Sequence, residues 1–142
     1  MTDFEEDYYK SINYVDYLQR GEKYSKTAKD LQNLLSSISL DNGKYLDYGC
    51  AVGHLIKGFN NLGKSDIIGY DISNWAIKVG KENNLAVTND RSVLKDSYGV
   101  TFILDVLEHM EVWQIDDLFN ELKTDAFVFR IPVVKMKART MS

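Results

Sequence analysis

The stretch YLDYGCAVG, residues 45–53, decides the fold that we predict for this chain. An apolar and aromatic segment leads into a short loop containing Gly49 and Gly53, and the helix-like segment HLIKGFNNLG follows and ends at Gly63. A strand, a glycine turn and a helix in this order open a nucleotide-binding βαβ unit. Glycine lets the backbone lie close to a ligand, and the first helical amides then face an anionic group such as a carboxylate. Because a G-x-x-x-G pattern alone is a weak signal, the segments downstream carry the prediction.

The composition is that of one soluble globular domain. The 142 residues are 44% hydrophobic and 27% charged, and the net charge of −4 argues against a general nucleic-acid-binding surface. No apolar run reaches the length of a membrane span, and the acidic N-terminus is unlike a signal peptide. The single Cys50 excludes an intramolecular disulfide and a multi-cysteine metal site. We therefore expect a cytoplasmic protein with no metal site, no membrane partner and no nucleic-acid partner.

Strands and helices alternate along the chain. Residues 3–20 and 23–38 are predicted as two helices separated by Gly21, because apolar residues of the second recur at helical spacing. Five strands are predicted at residues 45–48, 66–71, 85–88, 100–104 and 126–131. Helices are predicted between them at residues 54–63, 73–83 and 111–123. This alternation predicts a three-layer αβα fold of the α/β class with a parallel sheet. Right-handed crossovers give the strand order 3-2-1-4-5, with the ligand at the carboxyl ends of strands 1 and 2.

Asp71 ends the second predicted strand, 22 residues after Gly49. A carboxylate at this place can accept hydrogen bonds from both hydroxyls of a ribose, although a surface aspartate at a strand end is about as common. The glycine turn and the acid at this interval together favour a nucleotide-type cofactor. Dinucleotide sites usually contain G-x-G-x-x-G, which this loop lacks, so a nicotinamide-dependent oxidoreductase is disfavoured.

Three segments in order resemble the class I S-adenosylmethionine-dependent methyltransferases. Asp47 followed by Gly49–Gly53 is similar to motif I of that superfamily, whose common form is (D/E)-x-G-x-G-x-G. ILDVLEHM, residues 103–110, is similar to its fourth-strand motif, and with GYDIS, residues 69–73, the resemblance covers residues 44–132. It implies a single S-adenosylmethionine-binding domain over the whole chain, with a Rossmann-like core beneath an N-terminal helical cover, residues 1–40.

The resemblance also implies which residues bind S-adenosylmethionine. They are Asp47 at the ammonium group; Gly49, Cys50, Ala51 and Gly53 along the methionine end; Asp71 at the ribose; Ile72 at the adenine face; Asn89 or Asp90 at the adenine amino group; and Asp105, Val106 and Leu107 near the sulfonium. Arg20 and Tyr24, in the helical cover, are weaker candidates for the cofactor carboxylate.

His109 is the candidate general base for a hydroxyl or amine acceptor, because it follows the fourth strand at the cofactor end. The alternative interpretation is structural, since a histidine that opens a helix often only orders a loop. Glu108 has the same two interpretations, and a structural hydrogen bond is favoured for it. His54 is predicted to pack or to be solvated, and Cys50 is interpreted as a small loop residue rather than a nucleophile.

Two departures from the family pattern bear on function. Ala51 replaces the middle glycine, a change that is tolerated if its φ is negative. Members typically have seven strands, the last two forming a hairpin beside strand 5, and that hairpin is lacking here. We expect methyl transfer to a small-molecule acceptor; the alternative is a non-catalytic relative that binds cofactor or a partner chain. The uncovered edge strand, residues 126–131, predicts a homodimer formed through that edge, unless residues 133–142 fold back over it.

Overall fold

The computed structural model describes residues 14–131, and the side chains of residues 18–131. Five strands form one parallel sheet in the order 3-2-1-4-5: β1 Tyr45–Tyr48, β2 Ile67–Tyr70, β3 Val87–Thr88, β4 Ser97–Leu104 and β5 Lys123–Arg130. Within the described residues the α-helices are α1 Tyr14–Ser37, α2 His54–Asn61, α3 Asn74–Glu82 and α4 Val112–Glu121. Two short 3₁₀ helices are also present, Arg91–Lys95 and Leu107–His109. The predicted fold class and strand order are confirmed.

Alternate residues of each strand point to opposite faces of the sheet, and both faces are covered by helices. On one face α1, α2 and α3 pack against the sheet, where the rings of Tyr45, Phe59 and Phe102 contact one another with centroids 5.1–5.2 Å apart. On the other face α4 packs through Leu118 against a cluster that includes Leu46 of β1. The three layers therefore meet at β1, the central strand.

The predicted break at Gly21 is wrong. α1 continues through Gly21 without interruption, whereas residues 3–13 of the first predicted helix lie outside the described residues. One glycine costs a helix only about 1 kcal/mol. The burial of Ala28 and Leu35 between α1 and the core, with 0% and 1% of their surface exposed, outweighs that cost.

β4 and β5 begin three residues earlier than predicted. Only Leu122 separates the end of α4 from β5, and the two strands pair from Ser97 with Lys123 to Leu104 with Arg130. This register brings the carboxyl ends of both strands to the same level, so the amide of Asp105 donates to the carbonyl oxygen of Arg130 at 3.0 Å. Among the described helices, none combines the length and apolar character that crossing a membrane requires.

Candidate functional site

The loop after β1 is held by backbone hydrogen bonds to β2. The amides of Gly49 and Cys50 both donate to the carbonyl oxygen of Tyr70, at 2.8 and 3.0 Å. Gly49 and Gly53 have φ of 79° and 92°, a conformation that strongly favours glycine. A Cβ on Gly49 would also lie 2.5 Å from Cγ2 of Val106. The loop therefore lies directly against the chain that follows β4.

Asp71 forms hydrogen bonds both to this loop and to the residue that caps α3. One carboxylate oxygen accepts a hydrogen bond from the amide of Ala51 at 2.8 Å, and the other accepts one from the amide of Ser73 at 2.9 Å. Ser73 in turn caps α3, because its hydroxyl accepts from the amide of Ala76 at 3.1 Å. A carboxylate has about four lone-pair sites, so Asp71, which is partly exposed, keeps acceptor capacity for a ligand.

Ala51 does not meet the condition of a negative φ under which alanine would be tolerated without strain. Its φ is 49°, in the left-handed region, where a residue with a Cβ costs about 1–2 kcal/mol. The hydrogen bond from its amide to Asp71 helps to stabilise this conformation. The strained position is therefore stabilised by the residue that follows β2, and its amide is directed at the carboxylate that we predict to bind a ribose.

Replacing Ala51 by glycine is expected to raise the free energy of unfolding by about 1 kcal/mol, because glycine removes the left-handed penalty. Urea denaturation measures it. The matched control is Ala86→Gly, at an exposed position without a positive φ, which should lower the free energy of unfolding by about 0.5–1 kcal/mol. Equal destabilisation of the two variants would contradict the strain at Ala51.

Asp47, the third of the four residues of β1, is a buried carboxylate with 4% of its surface exposed. Within residues 18–131 no basic side chain forms an ion pair with it. Burial, reinforced by the nearby carboxylate of Asp71, raises the pKa of Asp47 to about 7. A buried acid in this state favours a bound cation, because a positive charge would offset the cost of ionising it.

Tyr24 of α1 lies over the same end of the sheet. Its ring stacks on that of His54, with centroids 6.1 Å apart, and the guanidinium of Arg130 lies 6.0 Å from its centroid. Burial raises the pKa of Tyr24, and the carboxylates of Asp105 and Asp47 raise it further. The phenol is therefore neutral, and the two carboxylates lie near it from the ends of neighbouring strands.

Three other residues considered from the sequence, Arg20, His54 and Cys50, lie in α1, at the start of α2 and in the glycine loop. Arg20 is exposed one turn before Tyr24, and its charge lowers the pKa of both Tyr24 and His54, which places it near them. Burial is the main cause of the lowered pKa of His54, in agreement with the predicted packing role. Cys50 is buried and its thiol pKa is strongly raised by burial, so the thiol stays protonated and is no nucleophile.

The residues predicted for the adenine lie at the ends of β2 and β3. Ile72 is 77% exposed, and the side-chain amide of Asn89 donates to Asn74 at the start of α3. Asp90 caps the first 3₁₀ helix by accepting from the amide of Ser92 at 2.9 Å, and this hydrogen bonding lowers the pKa of Asp90. Ile72 therefore presents an open apolar surface, whereas Asn89 and Asp90 already have protein partners.

Arg130 is the charged residue at this end of the sheet that sequence reasoning missed. It ends β5 and forms a bidentate ion pair with Asp105, in which Nη2 donates to Oδ2 at 2.6 Å and Nε lies 3.1 Å from Oδ1. Beyond Asp105, Val106 contacts the glycine loop and Leu107 is buried. The available signal was the single charge of the apolar run AFVFRI, residues 126–131, near its carboxyl end.

His109 lies in the second 3₁₀ helix, just beyond the end of β4. Its side chain is 78% exposed, and Nε2 is 3.5 Å from a carboxylate oxygen of Glu108. An exposed imidazole at this edge is accessible to a second substrate. Its role as a base stays a prediction.

The sheet order, the glycine loop and the acid after β2 define a class I Rossmann-like methyltransferase fold. The family model described as a methyltransferase domain matches residues 19–130, and the chain belongs to this family. The predicted superfamily is thereby confirmed. The comparison with curated proteins gives no match.

Solved structures with the same fold include the PH0226 protein from Pyrococcus horikoshii OT3, with 25% identity and a TM-score of 0.60 over 84% of this chain and 56% of that one. Another is magnesium protoporphyrin IX methyltransferase from Synechocystis PCC 6803 with bound SAH, with 20% identity and a TM-score of 0.58 over 84% of this chain and 61% of that one. A third is the glycopeptide N-methyltransferase MtfA complexed with sinefungin, with 13% identity and a TM-score of 0.57 over 74% of this chain and 52% of that one. The chain thus spans somewhat more than half the length of these proteins.

Proposed function

We propose that the protein transfers a methyl group from S-adenosylmethionine to a small-molecule acceptor. The observation that carries the proposal is the convergence of three features at the carboxyl ends of β1 and β2: the buried Asp47 without a described cationic partner, the glycine loop, and Asp71. They fit the cofactor chemically, since its ammonium group, its backbone-contacting methionine end and its ribose hydroxyls require these three kinds of partner. The same cofactor is named in the solved structure of the Synechocystis enzyme with bound SAM.

Different residues would bind different parts of S-adenosylmethionine. Asp47 binds the ammonium group, the loop Gly49–Gly53 approaches the methionine end, and Asp71 accepts hydrogen bonds from the ribose. Ile72 covers the adenine face, where Asn89 or Asp90 meets the amino group, and the segment from Asp105 to Leu107 lies near the sulfonium. Arg20 or Tyr24 would meet the cofactor carboxylate.

The cofactor, when bound, supplies a methyl group already activated by the positive sulfur. The tasks of the chain are then to align the acceptor with that methyl group and, for a hydroxyl or amine, to remove its proton. We assign the second task to His109, because its imidazole is exposed and it follows β4 at the carboxyl end of the sheet.

Replacing Asp71 by alanine is expected to weaken S-adenosylmethionine binding by about 1–3 kcal/mol, the range for losing hydrogen bonds to a charged group. Calorimetry with S-adenosylmethionine, S-adenosylhomocysteine and NAD measures this and tests the cofactor class. Asp96→Ala is the matched control, because Asp96 is an exposed carboxylate at the opposite, amino end of β4. Unchanged affinity in Asp71→Ala would refute the ribose assignment, and binding of NAD alone would refute the proposed function.

A labelled-methyl assay against metabolite pools tests catalysis itself. Transfer to a small molecule supports the proposed function. Cofactor binding without transfer to any acceptor would instead favour the alternative, in which the chain binds cofactor or a partner without catalysing a reaction.

We also propose a homodimer and a cytoplasmic location. β5 pairs with β4 alone among the described strands, and Phe129 and Ile131 beside its open edge are 55% and 47% exposed. Such an edge offers unpaired backbone groups to a second copy. Sedimentation at micromolar concentration measures the oligomeric state, and a monomer would contradict the proposed dimer.

The cytoplasmic location stays a prediction from the cysteine content.

A further inference from the structure

Asp105 and Arg130 are joined by a bidentate ion pair and by a backbone hydrogen bond. Both nitrogens Nε and Nη2 of Arg130 contact the Asp105 carboxylate at 2.6–3.2 Å, and the two side chains are only 35% and 33% exposed. The backbone joins them as well, through the amide of Asp105 and the carbonyl oxygen of Arg130. Asp105 has a φ of 59°, so a strained backbone directs this carboxylate.

This pair borders the methionine end of the proposed cofactor site. The register aligns Asp47 of β1 with Phe102 of β4, so Asp105, three residues further along, is level with the glycine loop. Val106 confirms this position, because it occupies the space that a side chain at residue 49 would need. Tyr24 lies near the carboxylates of both Asp47 and Asp105. The two acids therefore both lie near Tyr24 of α1, at the same end of the sheet.

The charge of the cofactor would change at this end of the proposed site during the reaction. The sulfur is a cation in S-adenosylmethionine and neutral in S-adenosylhomocysteine. A free carboxylate beside it would stabilise the reactant more than the product or the transition state, in which the positive charge on sulfur is already decreasing. The positive charge of Arg130 cancels this unfavourable preference.

We propose that Arg130 is a positioning residue that neutralises Asp105, and thereby sets the relative affinity of the site for S-adenosylmethionine and S-adenosylhomocysteine. This inference rests on the proposed cofactor site. It assigns to the β4–β5 edge a specificity role that is distinct from acceptor binding and from proton removal.

The test is the affinity of wild type and Arg130→Met for three ligands, measured by calorimetry. These are S-adenosylmethionine, S-adenosylhomocysteine and sinefungin, which carries an ammonium group in place of the methylated sulfur. In Arg130→Met the preference for the two cationic ligands over S-adenosylhomocysteine is expected to rise about tenfold, because one uncompensated charge then acts at short range. The matched control is Arg91→Met, which removes a second described arginine–carboxylate pair, in which Nη2 of Arg91 contacts both carboxylate oxygens of Glu121, and should leave the preference unchanged.

Two further variants keep the test decisive if Arg130→Met folds poorly. Asp105→Asn leaves the charge of Arg130 uncompensated and should lower the same preference, and the double variant Asp105→Asn/Arg130→Met should restore the wild-type ratio.

An equal rise in affinity for all three ligands in Arg130→Met would overturn the proposal, because Asp105 would then face the ammonium group that they share. An unchanged ratio in every folded variant would also overturn it. Failure of wild type to bind any of the three refutes the proposed function itself, a separate result.

Discussion

Replacing Asp47 by asparagine is expected to stabilise the cofactor-free protein, increasingly so as the pH rises from 5 to 8. Burial raises the pKa of the folded carboxyl to about 7, whereas that of an unfolded aspartate is about 3.9. Between these values the folded protein holds a proton that the unfolded chain releases. Wild-type stability therefore falls as the pH rises through this window, by on the order of 4 kcal/mol in total, and levels off above about pH 7. Asparagine does not titrate and avoids this cost.

Urea denaturation at pH 5, 6, 7 and 8 measures the difference between the two proteins. Asp96→Asn controls for the general effect of removing one negative charge, because Asp96 is exposed. A difference between Asp47→Asn and wild type that does not grow with pH would show that Asp47 is already ionised at low pH in the folded protein.

Asp47→Asn should also lower the affinity for the cofactor, because it removes the negative charge that the ammonium group would contact. An ammonium group binds the ionised carboxylate, so wild-type affinity should increase as the pH rises through about 7, where Asp47 loses its proton. Asp47→Asn should lose that increase and bind about 10- to 100-fold more weakly at pH 8, the range for a hydrogen bond to a charged group. Calorimetry at pH 6 and 8 measures both effects. Wild-type affinity that is independent of pH would contradict the placement of the ammonium group at Asp47.

Replacing His109 by alanine is expected to slow methyl transfer by about 10²- to 10⁴-fold, the contribution of a general base. Cofactor affinity should be nearly unchanged, because His109 is exposed beyond β4 and the described contact of its imidazole is with Glu108 rather than with the glycine loop. Single-turnover rates with an identified acceptor measure the chemical step, and calorimetry measures the affinity.

Glu108→Gln is the matched control for His109→Ala, since it removes the neighbouring charge and leaves the imidazole in place. It should retain most of the rate. A His109→Ala variant with the full rate would make His109 a structural residue of the 3₁₀ helix, which is the alternative interpretation of its sequence position.

Local sequence patterns were sufficient to predict the sheet and the core of the candidate site. Apolar strand segments alternating with amphipathic helices specify a doubly wound sheet, because each segment must bury its apolar side, and crossovers have one hand. The sequence marks where each apolar strand segment ends. The candidate residues Gly49, Gly53 and Asp71 could be predicted because they come at or just after these ends. Sequence therefore determined the strand order, the family and the end of the sheet where the cofactor is proposed to bind.

Tertiary structure decided the features that depend on packing between distant segments. The helix continues through Gly21 because α1 buries one face against the core, which outweighs a local glycine penalty. Ala51 takes a left-handed conformation, and its amide donates to Asp71, which follows a different strand, β2. The pair of Asp105 and Arg130 arises from the β4–β5 register, which sets Leu104 opposite Arg130 at the carboxyl ends of the two strands. Charges 25 residues apart in the chain become neighbours only when the strands pair, so no local pattern could reveal them.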